Sequence, residues 1–367
     1  SDEAPGRLDP AFDGKRKLFN IARATYSLGP SSSYIGAIVT DTEFAGGHNR
    51  VAGGDVSLRF GSQQVTATVL HSASADPGTS GESRSGAMAQ ATYGYNTRRV
   101  GFATQVEHYD ENFQMDTAFY NRTGITGGWA YGGVNFYPDK NRAAWLKKIN
   151  PFVFFQYVHD RVQGGDDFTQ VYAVRANLTR NGIVRADVID AQEAWAGGEY
   201  QQRFYRFQGS MQVMKWLYLS GQLRTGDSLY YDAEEPFVGP SGLQSLTVTV
   251  QPSARFAQNV TVQRQTLDRP SSAGRVYDVL VVNTRTTYQF TTRFSVRGIV
   301  QYDSSRSRVL GDFLASYEVR PGTVFYAGYG TLFEQRDYQD DAWVAGAGNY
   351  LTTNRGLFVK ASYLYRF

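Results

Sequence analysis

The sequence predicts an all-β fold, a large antiparallel up-and-down transmembrane β-barrel of about 18–20 strands. Three observations predict it. In the final stretch, 356–367, Leu357, Val359, Ala361, Tyr363, Tyr365 and Phe367 fall on one side of an extended chain. Lys360, Ser362 and Arg366 fall on the other, with Phe358 and Leu364 as exceptions. Segments of this kind, each roughly 10–14 residues long, recur along almost the whole chain. The connections between them alternate between tight turns and long loops, as in an outer-membrane barrel whose long loops face out of the cell.

The bulk numbers permit this fold and remove others. A chain of 367 residues could make two or three soluble domains. No linker interrupts it after residue 17, however. No apolar run reaches the roughly 18 residues a membrane-spanning helix needs, which excludes a helical membrane protein. A barrel strand needs only every second residue apolar, so the same test does not exclude a barrel. The formal net charge of +3 argues against strong attraction to nucleic acid. With no cysteine there are neither disulfides nor thiolate metal sites. No signal peptide precedes Ser1, and an outer-membrane chain requires one, so the sequence is expected to be processed or truncated.

In chain order, residues 1–17 are polar and carry Pro5, Gly6, Pro10 and Gly14, which suits a tail or linker; 18–367 is the barrel. Strands are expected at 18–28, 33–43, 50–60, 64–75, 86–97, 99–110, 122–137, 151–162, 168–179 and 183–194. They continue at 200–210, 215–226, 243–254, 258–269, 275–289, 293–303, 308–319, 323–336 and 356–367. Each is long enough to cross a bilayer at a tilt, which takes about 9–11 residues, whereas soluble strands centre on about 5–6. Gly61-Ser62, Asn96-Thr97-Arg98, Arg180-Asn181-Gly182, Ala257-Gln258, Thr291-Thr292 and Arg320-Pro321-Gly322 mark tight connections; 76–85, 111–121, 227–242 and 337–355 are long ones. Residues 138–150 are long where a short turn is expected. Ala143–Lys148 within them reads either as a short amphipathic helix at the periplasmic interface or as an ordinary loop with one Trp. Nineteen strands is an odd number, and bacterial single-chain barrels have even ones. Either 343–352 holds another strand, or strands before Ser1 complete the wall. A barrel of this size would be roughly 35–40 Å across, too wide for side chains to fill, so water, a plug or a partner must occupy it.

Most strands sort into two faces. In 50–60, Val56, Leu58 and Phe60 oppose Asp55, Ser57 and Arg59; in 215–226, Leu217, Leu219 and Leu223 oppose Tyr218, Ser220, Gln222 and Arg224. A single strand of this kind also suits a soluble sheet with one wet face, but repetition over the whole chain does not. Strands 151–162 and 275–289 sort poorly. The polar face supplies the pore-lining candidates Asp55, Arg59, Arg175, Arg185, Asp187, Arg206, Arg224, Arg297, Asp312, Glu318 and Lys360. Rings of charge set ion preference in pores. The structural alternative is that opposite charges pair across strands and hold the wall, at about 0.2–1 kcal/mol per pair. The excess of Arg points to anionic solutes.

Signals for catalysis are sparse. The histidines are His48, His71, His108 and His159, with no two at metal-ligand spacing. His159-Asp160 suits a solvated rim better than a catalytic pair. Gly81-Glu82-Ser83-Arg84-Ser85 fails the nucleophile-elbow pattern at its last position, and there is no phosphate-cradling Gly-x-x-x-x-Gly-Lys. Asp166-Asp167 and Asp340-Asp341 are placed in loops, where solvated acids are the default and calcium the alternative. No cofactor and no metal are expected.

Three stretches carry a family resemblance: Asn121–Pro138 (NRTGITGGWAYGGVNFYP), Asn283–Asp303 (NTRTTYQFTTRFSVRGIVQYD) and Leu357–Phe367 (LFVKASYLYRF). Together they resemble the C-terminal barrel domain, of unknown function, of bacterial outer-membrane proteins labelled carbohydrate-binding family 9-like. The resemblance spans most of the chain from about residue 18. It implies an outer-membrane barrel with no established activity. In that family a sugar-binding β-sandwich and further strands lie upstream; this chain has neither, so sugar binding does not carry over. Tyr363, Tyr365 and Phe367 resemble the terminal signal read by the barrel-assembly machinery.

The leading expectation is a non-enzymatic outer-membrane barrel that passes solutes or anchors a larger assembly. Its partners would be outer-membrane lipid, the barrel-assembly machinery during biogenesis, and a plug or periplasmic or extracellular partner protein, with no nucleic acid. The alternatives are an outer-membrane hydrolase with a rim active site and a soluble β-rich glycan-binding protein.

Overall fold

The computed structural model describes residues 2–3, 14–29, 32–78, 83–270, 274–339, 342–345 and 348–364. Among these there are no helices and twenty-one strands. In order they are β1 (Asp2–Glu3), β2 (Arg16–Ser27), β3 (Tyr34–Phe44), β4 (Gly47–Phe60), β5 (Gln63–Ala75), β6 (Ser83–Asn96) and β7 (Val100–Tyr109). Then come β8 (Ile125–Val134), β9 (Leu146–Asp160), β10 (Gly165–Leu178), β11 (Ile183–Trp195), β12 (Gly198–Met214), β13 (Leu217–Tyr230) and β14 (Phe237–Ser253). The last seven are β15 (Phe256–Asp268), β16 (Arg275–Gln289), β17 (Phe294–Asp303), β18 (Arg308–Arg320), β19 (Thr323–Gln339), β20 (Ala342–Ala345) and β21 (Asn349–Ser362). Nineteen of them, β2 to β19 and β21, are long wall strands, each antiparallel to the next in an up-and-down barrel wall.

All nineteen expected strands are present, most within a few residues of their expected bounds. Four readings need correction. Residues 342–345 form β20, which only extends the β19 hairpin and adds no wall strand. The last strand ends at Ser362 and starts at Asn349, well before residue 356. Ala143–Lys148 is not a helix: Asp139 O accepts from Arg142 N and Ala143 N in a turn, and Leu146 already begins β9. The connection expected at 227–242 is shorter than expected, because 227–230 and 237–242 belong to β13 and β14. Tyr365 and Phe367 lie outside the described residues.

The register fixes which side chains share a face. Ile35, Val56 and Ala67 stand in line on one side, as do Val188 and Tyr205. On this outer side Val39, Phe60, Val106, Val174, Phe207 and Phe313 are exposed without protein cover. A continuous band of this kind is stable only against lipid. The opposite face carries the buried clusters. Strand 151–162 sorts poorly because β9 is apolar on both sides. Phe155 and Tyr157 point outward, while Phe152 and Val158 join buried clusters within.

One seam remains in the wall. β21 pairs with β19 and β2 pairs with β3, but no pairing joins β21 to β2 among the described residues. Both are almost wholly exposed. β1 lies antiparallel on the free edge of β2, with Asp2 opposite Lys17 and Glu3 opposite Arg16.

Candidate functional site: the inner wall and an inserted loop

Loop 110–124, between β7 and β8, is the longest connection on its end of the barrel, and it folds inward. Phe113 is 3% exposed and packs with Val51, Leu70, Met88, Tyr109, Ile125 and Val158, all on the inner faces of β4 to β9. Its ring sits 6.0 Å from Tyr109 and 5.4 Å from Tyr120. Polar contacts seat the backbone. Gln114 N donates to Ser72 Oγ (3.1 Å), and Asn49 Nδ2 donates to Gln114 O (2.9 Å) while its Oδ1 accepts from Asp116 N (2.9 Å). Gly86 makes room: a Cβ there would stand 2.3 Å from Phe113 N. Further along the loop, Asp116 accepts from Lys17 of β2 (3.1 Å).

Both loop ends are pinned. Asp110 accepts from Ala87 N (2.7 Å) and lies 3.1 Å from His108 Nε2; these two contacts hold its carboxyl below the usual carboxylate range. Burial pushes the Tyr120 hydroxyl up, so it stays protonated. Arg122 pairs with Asp160 (3.3 Å) and Asp167. Asp160 is therefore a buried anchor rather than a solvated rim group, while His159 meets Asp166 at 2.7 Å. Asp166 and Asp167 lie within β10 rather than in a loop. Asp167 is committed to Arg122 and to Ala194 N (2.8 Å). Asp340-Asp341 lies outside the described residues.

The arc from β10 to β13 is basic. Arg175, Arg185, Asp187, Arg206 and Arg224 share the inner face, because Arg175 stands opposite Arg185, Asp187 opposite Arg206, and Arg206 opposite Arg224. Asp187, with a fully buried side chain, accepts from Arg185 Nε and Arg206 Nε, both at 2.6 Å. Phe152 carries Arg185 at 4.9 Å and Arg175 at 5.5 Å over its ring, and Phe204 carries Arg224 at 3.8 Å. Arg224 Nε is buried without a hydrogen-bond partner.

The other candidates are not gathered with this group. Asp55 pairs with Arg23 (2.9 Å), and Arg59 donates to Gln64 (3.0 Å). Glu318 accepts weakly from Gly322 N (3.4 Å). Arg297 stands opposite Leu314, Asp312 opposite Gly330 and Lys360 opposite Tyr326, all on the same face and away from the basic arc.

Two hollows flank the basic arc. One, of about 790 Å³, lies on the outer side among Val153, Tyr172, Val174, Tyr205, Phe207 and Leu223, and is apolar. It faces acyl chains, not solute. The other, of about 400 Å³, is on the inner wall of β11–β15 and is lined by polar side chains.

Sequence reasoning missed Arg23, Arg122, the burial of Asp160 and the inserted loop itself. The available signal was the run of Phe113, Met115, Phe119 and Tyr120 in a loop expected to be wet.

The sequence matches no family model and no curated protein. The fold is similar to solved structures. The siderophore receptor PirA of Acinetobacter baumannii gives a TM-score of 0.58 at 8% identity, covering 94% of this chain and 71% of that one. A mutant of the ferric enterobactin receptor PfeA of Pseudomonas aeruginosa gives 0.55 at 8%, covering 95% and 69%. The ferric-catecholate import receptor Fiu of E. coli K12 gives 0.51 at 10%, covering 95% and 74%. At these identities the likeness concerns the fold.

Proposed function

We propose that this chain forms a solute-passing barrel of the bacterial outer membrane, narrowed on one side by loop 110–124, with no chemistry of its own. One observation carries the reading. Among the described residues, the loop covers the inner faces of β4 to β9, while β10 to β19 and β21 carry charged and polar side chains inward without such cover. A wall built only for anchoring has no need of an arginine whose buried Nε goes unpaired on its inner side. The similar structures named as siderophore and import receptors support a transport role. We also read the chain as the C-terminal barrel domain of proteins labelled carbohydrate-binding family 9-like, on the three stretches given above. Outer-membrane lipid is then its solvent, and the barrel-assembly machinery its partner during biogenesis.

The test is conductance of the full polypeptide in planar bilayers. Discrete channels are expected, with anions preferred. Arg185→Glu together with Arg224→Glu should move the reversal potential toward cations. Folded protein that never conducts would reject the pore and leave a membrane anchor.

A further inference from the structure

We propose that the inner wall of β11 to β15 is a binding site for an anionic sugar, a solute joining one phosphate or carboxylate to several hydroxyls. This rests on the reading of the barrel as a path for solutes, and it specifies which ones.

The register sets out the argument in two rows. Along one, Arg185, Gln208, Gln222, Ser245 and Gln263 stand directly opposite one another from β11 to β15. Along the next, Asp187, Arg206, Arg224 and Leu243 do the same. Two residues away on the other side, Ser210, Ser220 and Thr247 continue the pattern. The result is a neutral polar floor with a cationic border.

The floor lines the hollow of about 400 Å³, which is within the size range of small-molecule sites. Gln208, Gln222, Gln263, Ser210, Ser220 and Ser245 have no side-chain hydrogen bonds among the described residues, although all but Gln263 are half-buried. Amides and hydroxyls can each donate and accept. Sugar hydroxyls need that dual capacity; a bare anion does not. At the edge of this floor Thr247 pairs with Thr261 at 3.0 Å and Asn259 with Thr249 at 2.9 Å. Side chains that turn free donors and acceptors into one hollow can serve an occupant there.

The border supplies the charge. Asp187 uses one donor of Arg185 and one of Arg206, leaving their terminal nitrogens unspent. Arg224 lies over the Phe204 ring at 3.8 Å, with its Nε unpartnered and one terminal nitrogen donating weakly to Asp227 O (3.5 Å). Its cross-strand neighbour Leu243 lines the hollow. Arginines fixed by stacking and by one shared carboxylate are pre-oriented for a two-point grip on phosphate or carboxylate.

Titration calorimetry on the folded full chain in detergent tests this with four probes: glucose 6-phosphate, glucuronate, glucose and inorganic phosphate. The expected result is that at least one anionic sugar binds about tenfold or more tightly than both glucose and phosphate. Arg224→Gln should weaken that binding about tenfold. Gln222→Ala with Gln263→Ala should reduce the anionic sugar to the level of phosphate while leaving phosphate unchanged. The double variant removes exposed or half-exposed groups, so it keeps the test decisive if Arg224→Gln fails to fold. Equal binding of phosphate and anionic sugars, or no effect of the glutamine pair, overturns the proposal. Binding in detergent does not need conduction: channels without binding sink this site alone, and binding without channels sinks the pore alone.

Discussion

Asp187 holds two arginines at once, Arg185 beside it on β11 and Arg206 opposite it on β12. Removing one partner of a buried pair leaves the other charges unsatisfied, at a cost of about 3–5 kcal/mol. Asp187→Ala should therefore lower the urea midpoint of the detergent-folded barrel strongly. Asp312→Ala, at an exposed inner position without an ion pair, should change stability by less than about 0.5 kcal/mol. Asp110 gives a pH effect of definite sign. Its folded carboxyl titrates below the unfolded value of about 3.9, so its contribution is complete above that value and disappears as pH falls through the lower, folded one. Hydrogen exchange at Phe113 and Gln114, taken relative to the intrinsic amide rate at each pH, should thus be the same at pH 7 and pH 5 and accelerate only in stronger acid. Asp110→Asn should speed it at neutral pH and flatten the acid response.

Among the elements, loop 110–124 depends on features of strands far from it in sequence. Gly86→Ala places a methyl group against the backbone of Asn112 and Phe113. Overpacking of this kind costs about 1–3 kcal/mol. The expected outcome is an undocked loop, read as faster protease cutting within 111–121 and as a larger single-channel conductance. Gly356→Ala, where an added Cβ meets nothing within 4 Å, is the control and should leave both readings unchanged. The strands themselves are less sensitive. Turns such as Arg180-Asn181, both at positive φ (55° and 52°), set the hairpins locally and do not depend on the loop.

At the scale of the whole molecule the seam is decisive. An unpaired strand edge cannot lie in hydrocarbon, because each exposed N–H and C=O costs several kcal/mol there. With nineteen alternating strands, β2 and β21 run in the same direction, so antiparallel closure takes an odd number of further strands between them. β1 marks where such a strand would sit, antiparallel along β2. The chain has no cysteine, so a cysteine pair reports cleanly on this. Ala24→Cys with Val359→Cys should form no disulfide in membranes, since bridging needs Cα atoms within about 7 Å. Efficient cross-linking would show direct parallel closure instead.

The amino-acid sequence by itself determined the strands, their order and, for most of them, the side each residue faces. Alternation has a period of two residues, and each tight turn fixes the register of its own hairpin. That is why Arg185, Asp187, Arg206 and Arg224 fall on one face. Only the tertiary structure decided that Phe113 enters the barrel, that Asp160 is buried, and that six polar side chains between β11 and β15 have no side-chain hydrogen bonds among the described residues. Those outcomes depend on residues brought together across many strands. Gly86, Ser72 and Asn49 receive a loop whose own sequence contains no local periodicity to reveal where it goes.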